Sequence, residues 1–342
     1  MTALSSEEVR RFRDQGYLVV RGVLDPQTDF PPLVDEYTQV LNDLASEWQA
    51  KGELHSTLPG PSFLEHLYQL CAQPAFPRHR LAELDITLPH FPFSVIREDS
   101  RVHAGPAVFG LLRNPKLLDV VESVLGPEIA SSPNQHCRLK LPKRLIEASE
   151  FGAQRGETLY APTMWHQDMH TQMPQSDATE VLTVWIAMGR VTEAHGCLLV
   201  QPGGHKQGLL PWPMNDELRA KLSRESVALP AEAGDVILLD KRTPHAARTN
   251  EHDTIRWSMD FRYFPADEPS DRPWFPNFVA RSRANPEREL RDPAEWASMW
   301  HDARINLSRR GQPLPGRKEF AHLVATALIK RWQEEPYVAA SP

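Results

Sequence analysis

Two histidines and one aspartate stand at spacings that metal chemistry can use. In Trp165-His166-Gln167-Asp168, residues i and i+2 of an extended chain point to one face, so His166 and Asp168 present an imidazole and a carboxylate side by side. Alone, the pair says little. With 14 histidines in the chain, about one His-x-Asp arises by chance, and a surface histidine beside a solvated aspartate accounts for it. A third residue changes this. Ala233-Gly234-Asp235 reads as a turn feeding an apolar strand, Val236 to Asp240, and Thr243-Pro244-His245 follows. A histidine just past a buried strand sits at a barrel rim, where a ligand is useful. Two imidazoles and one carboxylate make a facial set that leaves three adjacent positions open, which suits Fe(II) with a chelating cosubstrate and O2. Structural zinc prefers four protein ligands, often thiolates. Arg256 lies eleven positions after His245 on an alternating strand. Trp257, Met259 and Phe261 face one side, and Arg256, Ser258 and Asp260 the other. From the polar side Arg256 can clamp a carboxylate through two parallel hydrogen bonds, or it can pair with Asp260 or solvent.

These residues need a scaffold of short strands. From about residue 129 to 264 the texture is β-like, with runs at Gln135–Leu141, Thr163–Met169, Val181–Met188, Cys197–Gln201, Val236–Asp240 and Ile255–Phe264. Pro202-Gly203-Gly204, Ala233-Gly234-Asp235 and Thr249-Asn250 punctuate them, as in a sandwich or barrel. Helices precede the strands rather than alternate with them, which argues against a doubly wound sheet. Ser5-x-x-Glu8 reads as a capping box for a helix that stops at Gly16, ahead of a strand Tyr17–Val20. Asp29 is expected to cap a second helix with Pro31 and Pro32 in its first turn. Phe63–Cys71 is a shorter helix, and Asn114-Pro115 opens another that Gly126 closes. Residues 74–108 show no period and read as a long loop that covers a site. Beyond 265, Asp292-Pro293 starts a helix with Trp296 and Trp300, and Phe320 to Trp332 marks a last one. These tryptophans either pack on the barrel or form a homodimer contact. One domain over 1–342 is the expected organisation.

Composition narrows the function class. The formal charge of -7 and the lack of a Lys/Arg cluster argue against a nucleic-acid partner or an anionic membrane. The longest apolar run, Val181 to Met188, is interrupted by Thr183 and is far below the ~20 residues of a membrane span. The N-terminus turns acidic at once, without the apolar core of a signal peptide. Cys71, Cys137 and Cys197 are odd in number and widely spaced, which points to a reducing, cytoplasmic setting rather than a disulfide framework.

The order His166-x-Asp168, His245, Arg256 resembles the phytanoyl-CoA dioxygenase family of Fe(II)/2-oxoglutarate oxygenases. Pro162 to His170 resembles the family's metal-binding strand. Val184-Trp185-Ile186-Ala187 resembles its Trp-x-Ala strand, Pro202-Gly203-Gly204-His205 its Pro-Gly-x-His turn, and Val9 to Val20 its helix–Gly–strand opening. The likeness covers about residues 5–265, with 266–342 as a C-terminal helical extension. It implies a mainly β protein with flanking helices, a double-stranded β-helix or cupin-like jelly roll. It implies that His166, Asp168 and His245 hold iron and that Arg256 binds the distal carboxylate of 2-oxoglutarate. Trp185 is expected to line the cosubstrate pocket or to be a core tryptophan. Gln167 and His136 carry over as cosubstrate or substrate neighbours, and Arg97 as a weaker anion contact. His205 stands at a structural turn, and His170 faces the substrate pocket or packs. Two departures stand out. His195-Gly196 replaces the family's Asn-Gly, and Ala246-Ala247 follow His245 where a hydroxyl often helps bind 2-oxoglutarate.

The chemistry so implied is oxidative decarboxylation of 2-oxoglutarate with O2, giving succinate, CO2 and a hydroxylated small metabolite or natural-product intermediate. Desaturation, ring closure or epimerisation would use the same residues. A metal-binding cupin that is not an oxygenase would have no need of Arg256. Asp168 fills the position that related iron halogenases leave to a small residue, so halogen transfer is not expected.

Overall fold

From Arg256 to Tyr263 polar and apolar residues alternate and decide what each face of that strand meets. The structure, a computed structural model, describes residues 3–73, 76, 78–88, 96–147, 163–212 and 214–310. Among the described residues the strands are β1 (Tyr17–Val20), β2 (Glu128–Ser131), β3 (His136–Lys140), β4 (Thr163–His166), β5 (Leu182–Ala187), β6 (Leu198–Val200), β7 (Val227–Leu229), β8 (Val236–Asp240), β9 (His245–Ala247), β10 (Arg256–Pro265) and β11 (Phe278–Ser282). They form two antiparallel sheets. The larger has the order β1-β8-β5-β10-β2-β11, with β3 also paired to β10; the smaller is β4-β9-β6-β7. Both sheets line one cavity, with Thr183, Trp185 and Arg256 from the larger and His166, Leu198 and His245 from the smaller. They therefore face each other across it, as in the double-stranded β-helix expected from the sequence.

The helices are α1 (Ser6–Gln15), α2 (Pro31–Ala50), α3 (Phe63–Cys71), α4 (Pro106–Leu112), α5 (Pro115–Leu125), α6 (Lys143–Glu147), α7 (Asp216–Glu225) and α8 (Pro293–Ser308). One core cluster joins Leu33, Tyr37 and Leu41 of α2, Leu67 of α3, Val121 of α5 and Trp296 of α8 to Trp257, Met259, Phe261 and Tyr263 of β10. The apolar face of β10 thus looks out to the helices, and its other face looks into the cavity. Helix α7 lies on the smaller sheet, where Leu222 packs with Trp165 and Ala246. Among the described residues no helix is long and apolar enough to cross a membrane.

The local signals act as their chemistry requires, with exceptions. Ser5 Oγ accepts from the Glu8 amide and Glu8 Oε2 accepts from the Ser5 amide at 2.8 Å, closing the capping box. Asp29 does not cap α2. Phe30 occupies the cap, and Asp29 instead binds Lys116 Nζ at 2.7 Å and Asn114 Nδ2 at 3.1 Å, tying α2 to α5. The strand expected over Thr163–Met169 ends at His166, and Asp168–Thr171 turns as a 3₁₀ helix. The expected loop over 74–108 holds a 3₁₀ helix, Arg78–Leu84, a bridge between Thr87 and His103, and the start of α4. Trp296 and Trp300 are 1% and 0% exposed within the chain, so their packing is intrachain. The helix expected around Phe320 to Trp332 lies outside the described residues.

Gly16 links this scaffold to His245. At φ 77 it ends α1 in the left-handed region, and its carbonyl accepts from the Asp240 amide at 2.9 Å and from Thr243 Oγ1 at 2.6 Å. A Cβ here would meet His205 Nδ1 at 2.3 Å and Thr243 Oγ1 at 2.6 Å, whereas at Gly22, φ 59, it would meet nothing within 4 Å. Gly22→Ala should cost about 1 kcal/mol, the conformational part alone. Gly16→Ala should cost clearly more. Equal losses in urea denaturation would show that the loop before His245 does not depend on this contact.

Candidate metal centre

Three strand ends converge on one point. Gln167 is extended (φ -119, ψ 138), so the alternation of β4 carries through it and puts His166 and Asp168 on the same side. His245 opens β9 and is the register partner of His166. The two imidazole centroids are 4.2 Å apart. Asp168 Oδ1 lies 3.7 Å from His166 Nε2 and 3.9 Å from His245 Nε2. One ligand atom from each of the three residues lies within 4.8 Å of the others.

The tautomers follow from the backbone. His166 Nδ1 is 2.9 Å from Met164 O, and His245 Nδ1 is 3.0 Å from Thr243 O. Each Nδ1–H donates to a carbonyl, so each Nε2 lone pair faces the centre. Burial and the neighbouring His245 press the His166 pKa down to about 3, so its imidazole is neutral near pH 7. Asp168 is 3% exposed. Burial by itself would raise its pKa, but Arg262, the two histidines and Thr183 hold it well below the ordinary carboxylate range. Two imidazole Nε2 atoms and one carboxylate oxygen, converging on one point, fit a divalent cation such as iron(II).

The cavity beside this cluster has about 400 Å³ of empty space, part of it open to solvent, and is lined by Arg138, Trp185, Leu198, Ala247, Arg256 and Asp260 among others. Arg256 is 3% exposed and does not pair with Asp260, which lies instead near Arg138 and Arg262. Among the described residues, Arg256 Nη1 donates to Gly196 O at 2.9 Å, while its Nε has no acceptor. Its Cζ stands 5.6 Å over the Trp185 ring. Burial, then Arg138, presses the guanidinium down to about 9. A buried cation in this state gains from an incoming anion, so the cavity fits a carboxylate at Arg256. Gly196, after His195, turns the chain at φ 71.

The contacts expected of Gln167, His136 and Arg97 are corrected, whereas His205 and His170 fall within what was expected of them. Gln167 points away from the cluster, as alternation demands. Its Nε2 donates to Gly208 O at 2.8 Å and Arg242 O at 2.6 Å, and its Oε1 accepts from Leu210 N at 2.7 Å. It ties loops together and does not face the cosubstrate. His136 Nδ1 is 2.8 Å from Asp85 Oδ2, and it is Arg138, two residues on, that lines the cavity. Arg97 bonds Asp99 on the surface. His205 Nε2 is 3.1 Å from Arg13 O, a structural contact, and His170 packs on Trp212 with its centroid 5.1 Å away. Two residues of the site had no place in the sequence reading. Arg262 and Thr183 both bond Asp168 Oδ2.

A family model described as phytanoyl-CoA dioxygenase (PhyH) matches residues 12–258, which spans the cluster and Arg256. The chain belongs to the phytanoyl-CoA dioxygenase family. A probable phytanoyl-CoA dioxygenase of Caenorhabditis elegans is 32% identical over 106 residues, an alignment that covers 31% of this chain and 30% of that relative. Among solved structures, a non-heme monooxygenase, ThoJ, is 18% identical with a TM-score of 0.47 over 88% of this chain and 98% of its own. The non-heme alpha ketoglutarate dependent carbocyclase SnoK from nogalamycin biosynthesis is 19% identical with a TM-score of 0.46, over 84% and 94%.

His166→Ala and His245→Ala should each weaken Mn(II) or Fe(II) binding by at least about tenfold, because two remaining ligands hold a labile divalent ion poorly. Calorimetry on the folded variants checks this, and wild-type affinity in either would remove that histidine from the centre.

Proposed function

We propose that this member of the phytanoyl-CoA dioxygenase family is a non-haem iron(II)- and 2-oxoglutarate-dependent oxygenase that hydroxylates a small metabolite or natural-product intermediate. One observation carries the reading: a His-Asp-His cluster and a buried, anion-seeking arginine share a single cavity. A metal-binding protein that is not an oxygenase has no use for the second feature.

When bound, iron(II) with 2-oxoglutarate and O2 supplies the oxidation, in which the 2-oxo acid becomes succinate and CO2 and one oxygen atom goes to the substrate. The residues of the chain bind and orient. His166, Asp168 and His245 would hold the metal. Arg256 would anchor the distal carboxylate of 2-oxoglutarate, with Trp185 against its guanidinium. Ala246 and Ala247 line the same cavity without offering a hydroxyl, so Arg256 bears more of that binding. Leu198 and Leu239 keep the inner wall apolar and restrict water. Asp168 occupies the third ligand position, so hydroxylation is favoured over halogen transfer. The three cysteines are buried and none forms a disulfide among the described residues, which suits a cytoplasmic setting.

Arg256→Ala should raise the 2-oxoglutarate requirement about 10- to 100-fold, as expected for losing a charge-assisted pair of roughly 1.5–3 kcal/mol, with metal binding nearly intact. Anaerobic titration of the metal-loaded protein reads the first effect, and succinate release the turnover. Unchanged 2-oxoglutarate affinity in the variant would remove Arg256 from the cosubstrate site.

A further inference from the structure

The two oxygens of Asp168 have different surroundings. Oδ2 receives three donors: Arg262 Nε at 3.1 Å, Arg262 Nη2 at 3.0 Å and Thr183 Oγ1 at 2.5 Å. Oδ1 is the oxygen that faces His166 and His245. A carboxylate oxygen offers two lone pairs, so three donors saturate Oδ2. The donors are themselves fixed. Arg262 and Thr183 are register partners on β10 and β5, so their side chains leave the larger sheet side by side. Arg262 is 3% exposed, and its Nη1 donates to Asn134 O at 3.1 Å. Neither donor lines up with a histidine, and neither reaches Oδ1 among the described contacts.

We infer that Arg262 and Thr183 are positioning residues that confine Asp168 to a one-oxygen hold on the metal. This inference rests on the iron and 2-oxoglutarate reading above. A free carboxylate can hold a divalent ion through one oxygen or both. On an octahedral ion with two histidines, a two-oxygen hold leaves two positions, and a chelating 2-oxo acid fills both. A one-oxygen hold leaves a third position for O2. Saturating Oδ2 from the larger sheet removes the two-oxygen alternative before any metal arrives. The arginine and the threonine therefore govern how many positions stay open, while the histidines and Oδ1 govern whether metal binds at all.

The test compares wild type with Thr183→Val, Thr183→Ser, Arg262→Gln and Arg262→Lys, each checked for fold by circular dichroism. Mn(II) affinity is measured by calorimetry. Then, at saturating Fe(II) without O2, 2-oxoglutarate is titrated while the visible metal-to-2-oxoglutarate charge-transfer absorption is followed. Thr183→Val and Arg262→Gln should keep Mn(II) affinity within about tenfold of wild type, the low end for a lost outer hydrogen bond. In the same variants 2-oxoglutarate should still bind, since two positions remain, but its absorption should shift, and when O2 is then admitted the absorption should decay at least about tenfold more slowly than in wild type. Thr183→Ser, which restores the hydroxyl, should recover both, and Arg262→Lys should recover part. An unshifted absorption that O2 discharges at the wild-type rate in folded Thr183→Val and Arg262→Gln would overturn the inference. So would a loss of metal affinity and nothing else, since that is ordinary ligand support. Should the Arg262 variants fail to fold, Thr183→Val decides, because it deletes one hydroxyl of nearly the same shape. Absence of the absorption in the unmodified protein would overturn the cofactor reading and the inference with it, whereas an unshifted absorption with wild-type decay in O2 in every variant overturns the inference alone.

Discussion

A carboxylate buried between two β-sheets must be neutralised, and here Arg262 neutralises it. Asp168 and Arg262 are each 3% exposed, and their side chains cross from one sheet to the other. Taking either ion out of water costs several kcal/mol, and removing one partner of such a pair costs roughly 3–5 kcal/mol because the other is left unpaired. The pair therefore fixes how the smaller sheet sits against the larger. It also fixes β10 as the strand around which the site is built. That strand pairs with β5 on one side and with β3 and β2 on the other. Its apolar residues close the core under the helices. Its polar residues place Arg256, Ser258, Asp260 and Arg262 at intervals of two along the cavity side.

The same strand thus serves two anions of different kinds. Arg262 meets the permanent one, Asp168, and its burial is compensated; Asp168 and Asp260 hold its pKa up against desolvation. Arg256 meets no carboxylate among the described residues, and its pKa is pressed down. Six residues apart on one face, one guanidinium is satisfied by the fold and the other waits for a ligand. Preorganisation of this kind places a binding charge where water is scarce, so that an arriving carboxylate interacts strongly without rearranging the wall. The histidines follow a parallel logic. Backbone carbonyls of Met164 and Thr243 fix their tautomers, and the Thr243 loop is itself pinned to Gly16 at the end of the first helix.

The ligand cluster was legible in the sequence because its grammar is local: two residues of one strand, one histidine past an apolar strand, one arginine on an alternating strand. The same alternation condemned Gln167 as a cosubstrate neighbour, since a residue between two ligands on an extended chain must face the other way. Thr183 was visible only as the polar residue that interrupts an apolar run, and a hydroxyl inside a fully buried strand is a signal that it has a partner. Arg262 continues the polar side of the Arg256 strand by one step. Its partner is 94 residues away in sequence, across the sheets, and no local pattern announces such a contact. The short strands β2, β7, β9 and β11 escaped for a related reason. They have three to five residues each, and pairing with neighbours, rather than their own periodicity, makes them strands. Asp29 failed as a cap because Lys116 and Asn114, distant in sequence, took its oxygens.

The central claim is that one face of β10 holds the metal's carboxylate in place with one arginine and receives the cosubstrate with the other. A crystal structure grown without O2, with Mn(II) in place of iron and with 2-oxoglutarate, tests this most directly. The account predicts Mn(II) on His166 Nε2, His245 Nε2 and Asp168 Oδ1 alone, with Oδ2 still on Arg262 and Thr183 and the distal carboxylate on Arg256. Mn(II) gripped by both oxygens of Asp168, or a distal carboxylate bound away from Arg256, would contradict it.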